Sequence, residues 1–386
     1  MVLVTRGPGA ANAAIAVHTA YQDATPLVLM VGLIPVADRN RESFQEFDLH
    51  AWFGSTAKKV VILDDPDSAA GLVDDALFTA ASGRPGPVVI GLPEDVLVRR
   101  TDHAPVPPRW PAAPAPSAAQ LDQLAVLLDR AERPLIVVGG DGWAAGTGAG
   151  LADWAHGHGI PVASDFRAYD AVPHSSPSYV GSLGYGRSDA LARRLDEADL
   201  LVLVGCVRGD VLSDGYRRGL STPTVLVNPD VDAHGHAGRI DLQLVATPAS
   251  FTATLPAITK HPTADWLDPA RAEHLAFATP WPAPDRGVDL YQVMGQLATA
   301  IEDDAVITYG AGNHALWAAR YLPHNSAGSL AAPRNGAMGM GVPAAVAASI
   351  IFPGRARCSL CEIPGGGRAR RQWRAPDGEP RARSRS

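Results

Sequence analysis

Short apolar runs alternate with longer segments of mixed polarity along this chain, the pattern of strands separated by helices. Residues 1–5 (MVLVT) form a β-type run, and a Gly-Pro-Gly turn leads from it into a helical stretch over 11–21. Residues 26–32 (PLVLMVG) are apolar on both alternating faces, which predicts a fully buried strand. A strand at 60–63, a helix over 66–81 and a strand at 87–92 (PVVIGL) complete a first unit. Residues 104–118 are too rich in proline to propagate a helix or an inner strand and predict a stiff linker. A second unit follows, with a helix over 118–131, a strand at 134–139, a helix ending near 157, a strand at 160–163, a helix over 190–196, and strands at 200–204 and 224–227. A third unit has a helix from 288 to 301, a strand at 305–308, and helices over 315–321 and 344–352. Strands and helices in this order predict an α/β protein of consecutive doubly wound parallel sheets. The expected divisions are 1–106, a linker at 107–118, a Rossmann-like unit at 119–256, a loose connector at 257–286, a third unit at 287–354, and a tail at 355–386 without core periodicity.

Composition narrows the function classes. The 386 residues are 46% hydrophobic and 19% charged, as in ordinary globular domains. A net charge of −7 gives no sign of a nucleic-acid partner. No apolar run reaches the length of a membrane span and no basic-then-apolar leader opens the chain, so the expectation is a cytoplasmic protein. Three cysteines, Cys206, Cys358 and Cys361, exclude a disulfide framework. Charge is uneven: residues 355–386 hold nine arginines against three acids, a net of +6, so the preceding 354 residues carry −13.

The candidate chemistry lies in glycine-rich turns between a strand and a helix, at Gly7, Gly139, Gly310 and Gly336. Glycine lets backbone approach a ligand closely, and the free N–H groups of a helix start favour an anion. Singly, such turns are as well explained as tight turns of any α/β fold. Their full strings say more. Residues 1–32 (VLVTRGPGAANAAIAVHTAYQDATPLVLMVG from residue 2), ESFQEFD at 42–48 and ASGRPGPVVIGLPEDV at 81–96 resemble the pyrimidine-binding domain of thiamine diphosphate-dependent enzymes. The second unit is similar to the family's central domain, and YGAGNHALWAARY with NGAMGMGVPAAVAAS resembles the start of the diphosphate-binding domain. The closest type is acetolactate synthase, large catalytic subunit.

The resemblance implies a carboligase or decarboxylase of 2-oxo acids of the pyruvate class, working as a homodimer or homotetramer with its site between two subunits. It implies that Pro8, Gly9 and Asn12 border the cofactor's pyrimidine, and that Phe44 and Gln45 reach the active site from the neighbouring subunit's domain. Gly312, Asn313 and His314 would meet the diphosphate. Gly336 and Met338 would face the aminopyrimidine, with Met338 as the apolar fulcrum of the bent cofactor. FAD is a possible second cofactor, with Arg84, Arg208 and Asp230 as candidate contacts, although many relatives keep this domain without flavin. Bland readings stand beside these: Met338 as a core gap-filler, His314 as a helix-start cap, and Arg84 as part of a Gly-Arg-Pro-Gly turn.

Two expected motifs are missing from the sequence. The family's catalytic glutamate belongs on a helix ahead of the strand that opens this chain. The Gly-Asp-Gly turn and asparagine that hold Mg²⁺ belong near 360–367, where the sequence is LCEIPGGG, so no metal ligand is assigned. The Arg-, Ala-, Gly- and Pro-rich composition of 364–386 is what out-of-frame translation of a GC-rich gene yields, and a frameshift or truncation near 355 is the expectation. Cys358 and Cys361 make a CxxC without the second pair that zinc requires. The alternative to an active enzyme is a non-catalytic, cofactor-binding remnant of the same family.

Overall fold

The computed structural model describes residues 1–259, 265–279 and 285–361. In the first unit, β1 (Val2–Val4), α1 (Pro8–Gln22), β2 (Leu27–Leu33), α2 (Leu49–Phe53), β3 (Lys59–Ile62), α3 (Ala69–Ala81), β4 (Pro87–Pro93) and α4 (Glu94–Leu97) follow in order. The sheet is parallel, ordered β1-β2-β4-β3. Both faces of β2 are covered, which explains its unbroken apolar run. Leu29, Val31 and Leu33 pack with Ala10, Val17, Leu49 and Phe53. Val28 on the other face joins Val88 and Ile90 against Ala76 and Ala80.

The proline-rich stretch after α4 has no helix or strand and lies along α3. Arg109 Nε donates to Asp74 Oδ2 at 2.6 Å, and its guanidinium sits 5.2 Å from the centre of the Phe78 ring.

The second unit comprises α5 (Ala118–Arg130), β5 (Pro134–Val138), α6 (Thr147–Gly157), β6 (Val162–Ser164), β7 (Tyr179–Ser182), α7 (Asp189–Glu197), β8 (Leu200–Val204), β9 (Thr224–Val227), β10 (Leu242–Leu244) and α8 (Pro248–Thr252). Ser117 and Gln120 form a reciprocal capping box that starts α5 at the end of the linker. The sheet is parallel, ordered β10-β9-β8-β5-β6-β7. Numbered from β5 this is 3-2-1-4-5-6, the strand order of dinucleotide-binding folds, and the order reverses between β5 and β8.

The connector expected over 257–286 contains a helix, α9 (Leu267–Phe277). Leu267 and Ala270 are buried with Leu191 and Leu195 of α7, and Trp266 Nε1 donates to the Pro134 carbonyl at 2.7 Å. Pro269 hid the helix in the sequence. In the first turn its missing N–H forfeits no bond, so proline is tolerated there.

The third unit has α10 (Leu290–Ala300), β11 (Val306–Tyr309), α11 (Asn313–Tyr321), β12 (Leu330–Ala331), α12 (Gly341–Ile351) and β13 (Arg357–Leu360), with β11 between parallel neighbours β12 and β13. Although residues from 355 onward show no core periodicity, the first of them form β13. Its register runs from Val306↔Arg357 to Tyr309↔Leu360, so a segment with no apolar periodicity becomes a strand through its hydrogen bonds to β11. Cys358 lies on this strand and Cys361 just beyond it, both as free thiols. The remaining tail, 362–386, lies outside the described residues. Among the described residues no helix is long and apolar enough to cross a membrane.

Candidate functional site

Gly7 caps α1 at φ +55°, a conformation that favours glycine, and Pro8 occupies the first helical turn, where no N–H is lost. A Cβ on Gly7 would stand 2.9 Å from Gln45 Cβ and 3.2 Å from the Gln45 carbonyl oxygen. The Gly7 turn and Gln45 are therefore in contact within one chain. The two form one surface of the first unit. Glu46 fixes the loop behind it, accepting the backbone N–H groups of Asn40 and Ser43 at 2.5 and 3.0 Å. These bonds hold its carboxyl below the usual range. Pro8, Asn12 and Phe44 are exposed, Phe44 at 79%.

The second pair of turns meets at the carboxyl end of β11. Gly312 precedes α11 at φ +119°, and Gly341 begins α12. A Cβ on Gly341 would lie 3.2 Å from the Gly310 nitrogen, and Thr308 Oγ1 donates to the Gly341 carbonyl at 2.7 Å. The turn before α11 and the start of α12 thus lie side by side, flanked by Ser359 and Cys361 at the end of β13, and free N–H groups at helix starts suit an anion. Asn313 is exposed beside it. His314 Nε2 shares a 3.2 Å hydrogen bond with the Leu360 carbonyl, so that ring nitrogen ties α11 to β13. Met338 is 71% exposed, which removes the core gap-filler reading, and Gly336 at φ +68° has open space around it.

One chain does not bring the two regions together. Asn335 Nδ2 meets His18 Nδ1 at 3.1 Å and Thr19 Oγ1 at 3.0 Å, and the Arg334 N–H donates to Asp23 Oδ1 at 2.9 Å. The Gly336 turn is thus docked on the last turns of α1, whereas the Gly7 turn is its first. At a helical rise of about 1.5 Å per residue, Pro8 and His18 are roughly 15 Å apart along α1.

A cavity of about 840 Å³ opens at the carboxyl ends of β5, β6, β8 and β9, where the strand order reverses. Its wall includes Gly140, Asp165, Gly205 and Asp230 from the strand ends, Arg84 from the first unit and Arg334 from the third. The glycines are there for space: a Cβ on Gly140 would fall 1.9 Å from the Gly205 carbonyl oxygen. Arg84 reaches the Gln22 carbonyl at 3.4 Å and stacks on Tyr21 at 5.3 Å. Asp230 turns its carboxylate inward to its own loop, accepting the N–H groups of Asp232 and His234. Arg208 does not line this cavity, which corrects its assignment as a candidate flavin contact. Its fully buried guanidinium donates instead to the carbonyls of Gly219, Ala237 and Arg239 and to Thr224 Oγ1, at 2.5 to 2.8 Å. Burial lowers its pKa from the ordinary arginine value. Asp165 and Arg334, on the cavity wall, were not singled out in the sequence; the position of Asp165 directly after a strand is the signal that would have found it.

Comparison with known proteins bears on all three regions. Residues 1–52 match the model of the thiamine pyrophosphate enzyme N-terminal TPP binding domain, and residues 121–255 match the thiamine pyrophosphate enzyme central domain. The chain belongs to the thiamine pyrophosphate enzyme family, in its acetolactate synthase-like branch. It is 28% identical over 356 residues to the acetolactate synthase isozyme 1 large subunit of Escherichia coli (strain K12), covering 90% of this chain and 63% of that protein. It is 29% identical over 368 residues to the acetolactate synthase large subunit of Parasynechococcus marenigrum (strain WH8102), covering 91% and 59%. Acetolactate synthase 1, chloroplastic, of Zea mays is 28% identical over 382 residues, covering 95% and 59%. The chain therefore spans about three fifths of the length of the curated relatives it matches. The residues present fit the diphosphate end of thiamine diphosphate, since the glycine turns and exposed Met338 leave room for it. For Mg²⁺, the sequence position singled out for its ligands lies mostly at 362–367, outside the described residues. Among the described residues no group of three His, Cys, Asp or Glu side chains stands together.

Proposed function

We propose that this chain acts as an acetolactate synthase-like carboligase or decarboxylase of 2-oxo acids of the pyruvate class, with FAD in the central cavity and two or four copies in the working assembly. The observation that carries this reading is the abutment of Gly341 on the Gly310 turn at one strand end, with Met338 of the adjoining turn exposed. Thiamine diphosphate, when bound, supplies a carbon nucleophile toward the 2-oxo group and an electron sink for loss of CO₂. The chain's own residues hold and shape. The first N–H groups of α11 and α12 receive diphosphate oxygens without a lysine or arginine in the cradle, because four N–H groups at each helix start lack intrahelical partners. The Met338 side chain supports the cofactor's bend, and Asn313 offers a side-chain amide at the same rim. Pro8, Gly9 and Asn12, with Gln45 behind them, form the wall for the pyrimidine. The roughly 15 Å along α1 between the two regions supports a site completed by a second copy.

The reading is tested by titrating the purified chain with thiamine diphosphate and Mg²⁺, following thermal stability and pyruvate consumption, and weighing the assembly by light scattering. Binding with turnover by a dimer or tetramer supports it. Binding without turnover supports a non-catalytic cofactor-binding remnant, and no binding overturns both.

A further inference from the structure

Arg167 belongs to the central unit, three residues after β6, but its side chain serves the third. Its backbone sits at φ +64°, the left-handed region, where an arginine is strained. The flanking bonds impose that turn: the Phe166 N–H donates to Asp165 Oδ1 at 2.8 Å and the Ala168 N–H to the Asp165 carbonyl at 3.1 Å. Strain of this kind persists only where the surroundings fix it, and it gathers at working sites. Here it delivers a cation across the boundary between two units. Arg167 is only 8% exposed, and its Nη2 donates to the Gly310 carbonyl at 3.0 Å. The guanidinium carbon lies 5.1 Å from the centre of the Phe166 ring and 5.8 Å from that of Tyr309. Burial raises the Tyr169 pKa to about 12 and that of Tyr309 well above its ordinary value, and in both the Arg167 charge acts in the opposite direction.

Gly310 is the residue at which β11 gives way to the turn before α11. Its N–H donates to the Leu360 carbonyl at 2.8 Å, and Gly341 abuts its nitrogen. β13 therefore holds the amide side of Gly310, and Arg167 holds the carbonyl side. A trans peptide joins Gly310 to Ala311, so the Ala311 N–H points away from the carbonyl that the guanidinium binds. A cation on a peptide carbonyl polarises that peptide and makes its N–H a stronger donor.

We propose that Arg167 is a positioning residue for the diphosphate end of thiamine diphosphate: it pins the Gly310 turn from the central unit, and through the Gly310–Ala311 peptide it strengthens the donor offered to a phosphate oxygen. The identity of the ligand rests on the function proposed above, whereas the pinning of the turn does not. The charge acts from behind the backbone, so it favours an anion without occupying the space that the anion needs.

The test uses the full chain and calorimetric titration with thiamine diphosphate, thiamine and inorganic pyrophosphate, each with Mg²⁺. Amide hydrogen exchange at 311–316 is followed without ligand. Arg167→Met removes the charge, and Arg167→Asn removes it with a residue that tolerates the left-handed backbone. Both variants should bind thiamine diphosphate and pyrophosphate about tenfold or more weakly, the scale of a lost charge-assisted hydrogen bond, with thiamine affinity as in the wild type. Arg167→Lys should recover part of the affinity, since it keeps the charge without the planar fork. Exchange at 311–316 should quicken in the Met and Asn variants while β5 and β8 stay protected. Wild-type affinity for pyrophosphate in both variants, equal losses for thiamine and thiamine diphosphate, or unchanged exchange at 311–316 each overturns the proposal. Loss of protection at β5 and β8 in both variants also overturns it, because Arg167 would then support the whole central unit. Binding of pyrophosphate without thiamine diphosphate would refute the proposed function and leave the role of Arg167 standing; binding of neither would overturn both.

Discussion

Lowering the pH from about 7.5 to about 5 should loosen the third unit, and His324 should carry a defined share of the loss. This histidine is 1% exposed, with Nδ1 3.0 Å from Ser329 Oγ and Nε2 3.1 Å from the Tyr309 hydroxyl. The His174 ring stands 5.6 Å away, edge-on, and Tyr169 packs at 6.4 Å. Burial lowers the His324 pKa to about 4, and it pushes His174 well below the ordinary value, with the charge of His324 as a further cause. In the unfolded chain the imidazole returns to roughly 6.5. The native state therefore holds His324 neutral while the unfolded state takes up a proton below 6.5. The stabilisation is complete above that pH and is lost progressively as pH falls toward 4. At about 1.4 kcal/mol per pH unit, the loss is roughly 2 kcal/mol by pH 5 and roughly 3 kcal/mol by pH 4. The assay is amide exchange of β11, whose Ile307 N–H bonds the Ser329 carbonyl at 2.7 Å, corrected for the intrinsic pH dependence of exchange. The comparison is with His324→Asn, which cannot titrate. The wild-type protein should lose about 2 kcal/mol more than the variant between the two pH values. Equal losses in both proteins would refute the reasoning, because the effect would then belong to other groups.

Gly140→Ala should abolish folding of the central unit, since its Cβ would fall 1.9 Å from a backbone oxygen at φ +71°; a cooperative melt near the wild-type midpoint would contradict this. Gly336→Ala has equally positive φ but open space, so only strain of about 1 kcal/mol is expected in thermal unfolding. Arg208→Met should cost about 3 kcal/mol or more in denaturant stability, because three carbonyls and the Thr224 hydroxyl lose a buried donor. Met338→Ala should change stability by less than about 0.5 kcal/mol, as for an exposed side chain, yet weaken thiamine diphosphate binding measurably by titration.

The sequence by itself determined the α/β class, the parallel strands with apolar residues on both faces, and the family, because buried strands and glycine turns are local patterns. β8 and β9 fall at 200–204 and 224–227, as their apolar runs predict. Segments that depend on partners were not legible. β13 is a strand only by its pairing with β11, and α9 is a helix held by Trp266 and by the α7 leucines around a proline that reads as a breaker. Site geometry was split in the same way. The turns at Gly7, Gly312 and Gly336 could be named in advance, since glycine at a helix start is written in the chain. The burial of Arg208 among carbonyls, the contact of Gly7 with Gln45, and the separation of the Gly7 and Gly336 turns along α1 were decided only by tertiary structure. Each depends on residues distant in sequence, and side-chain hydrogen bonds at that separation leave no periodic trace.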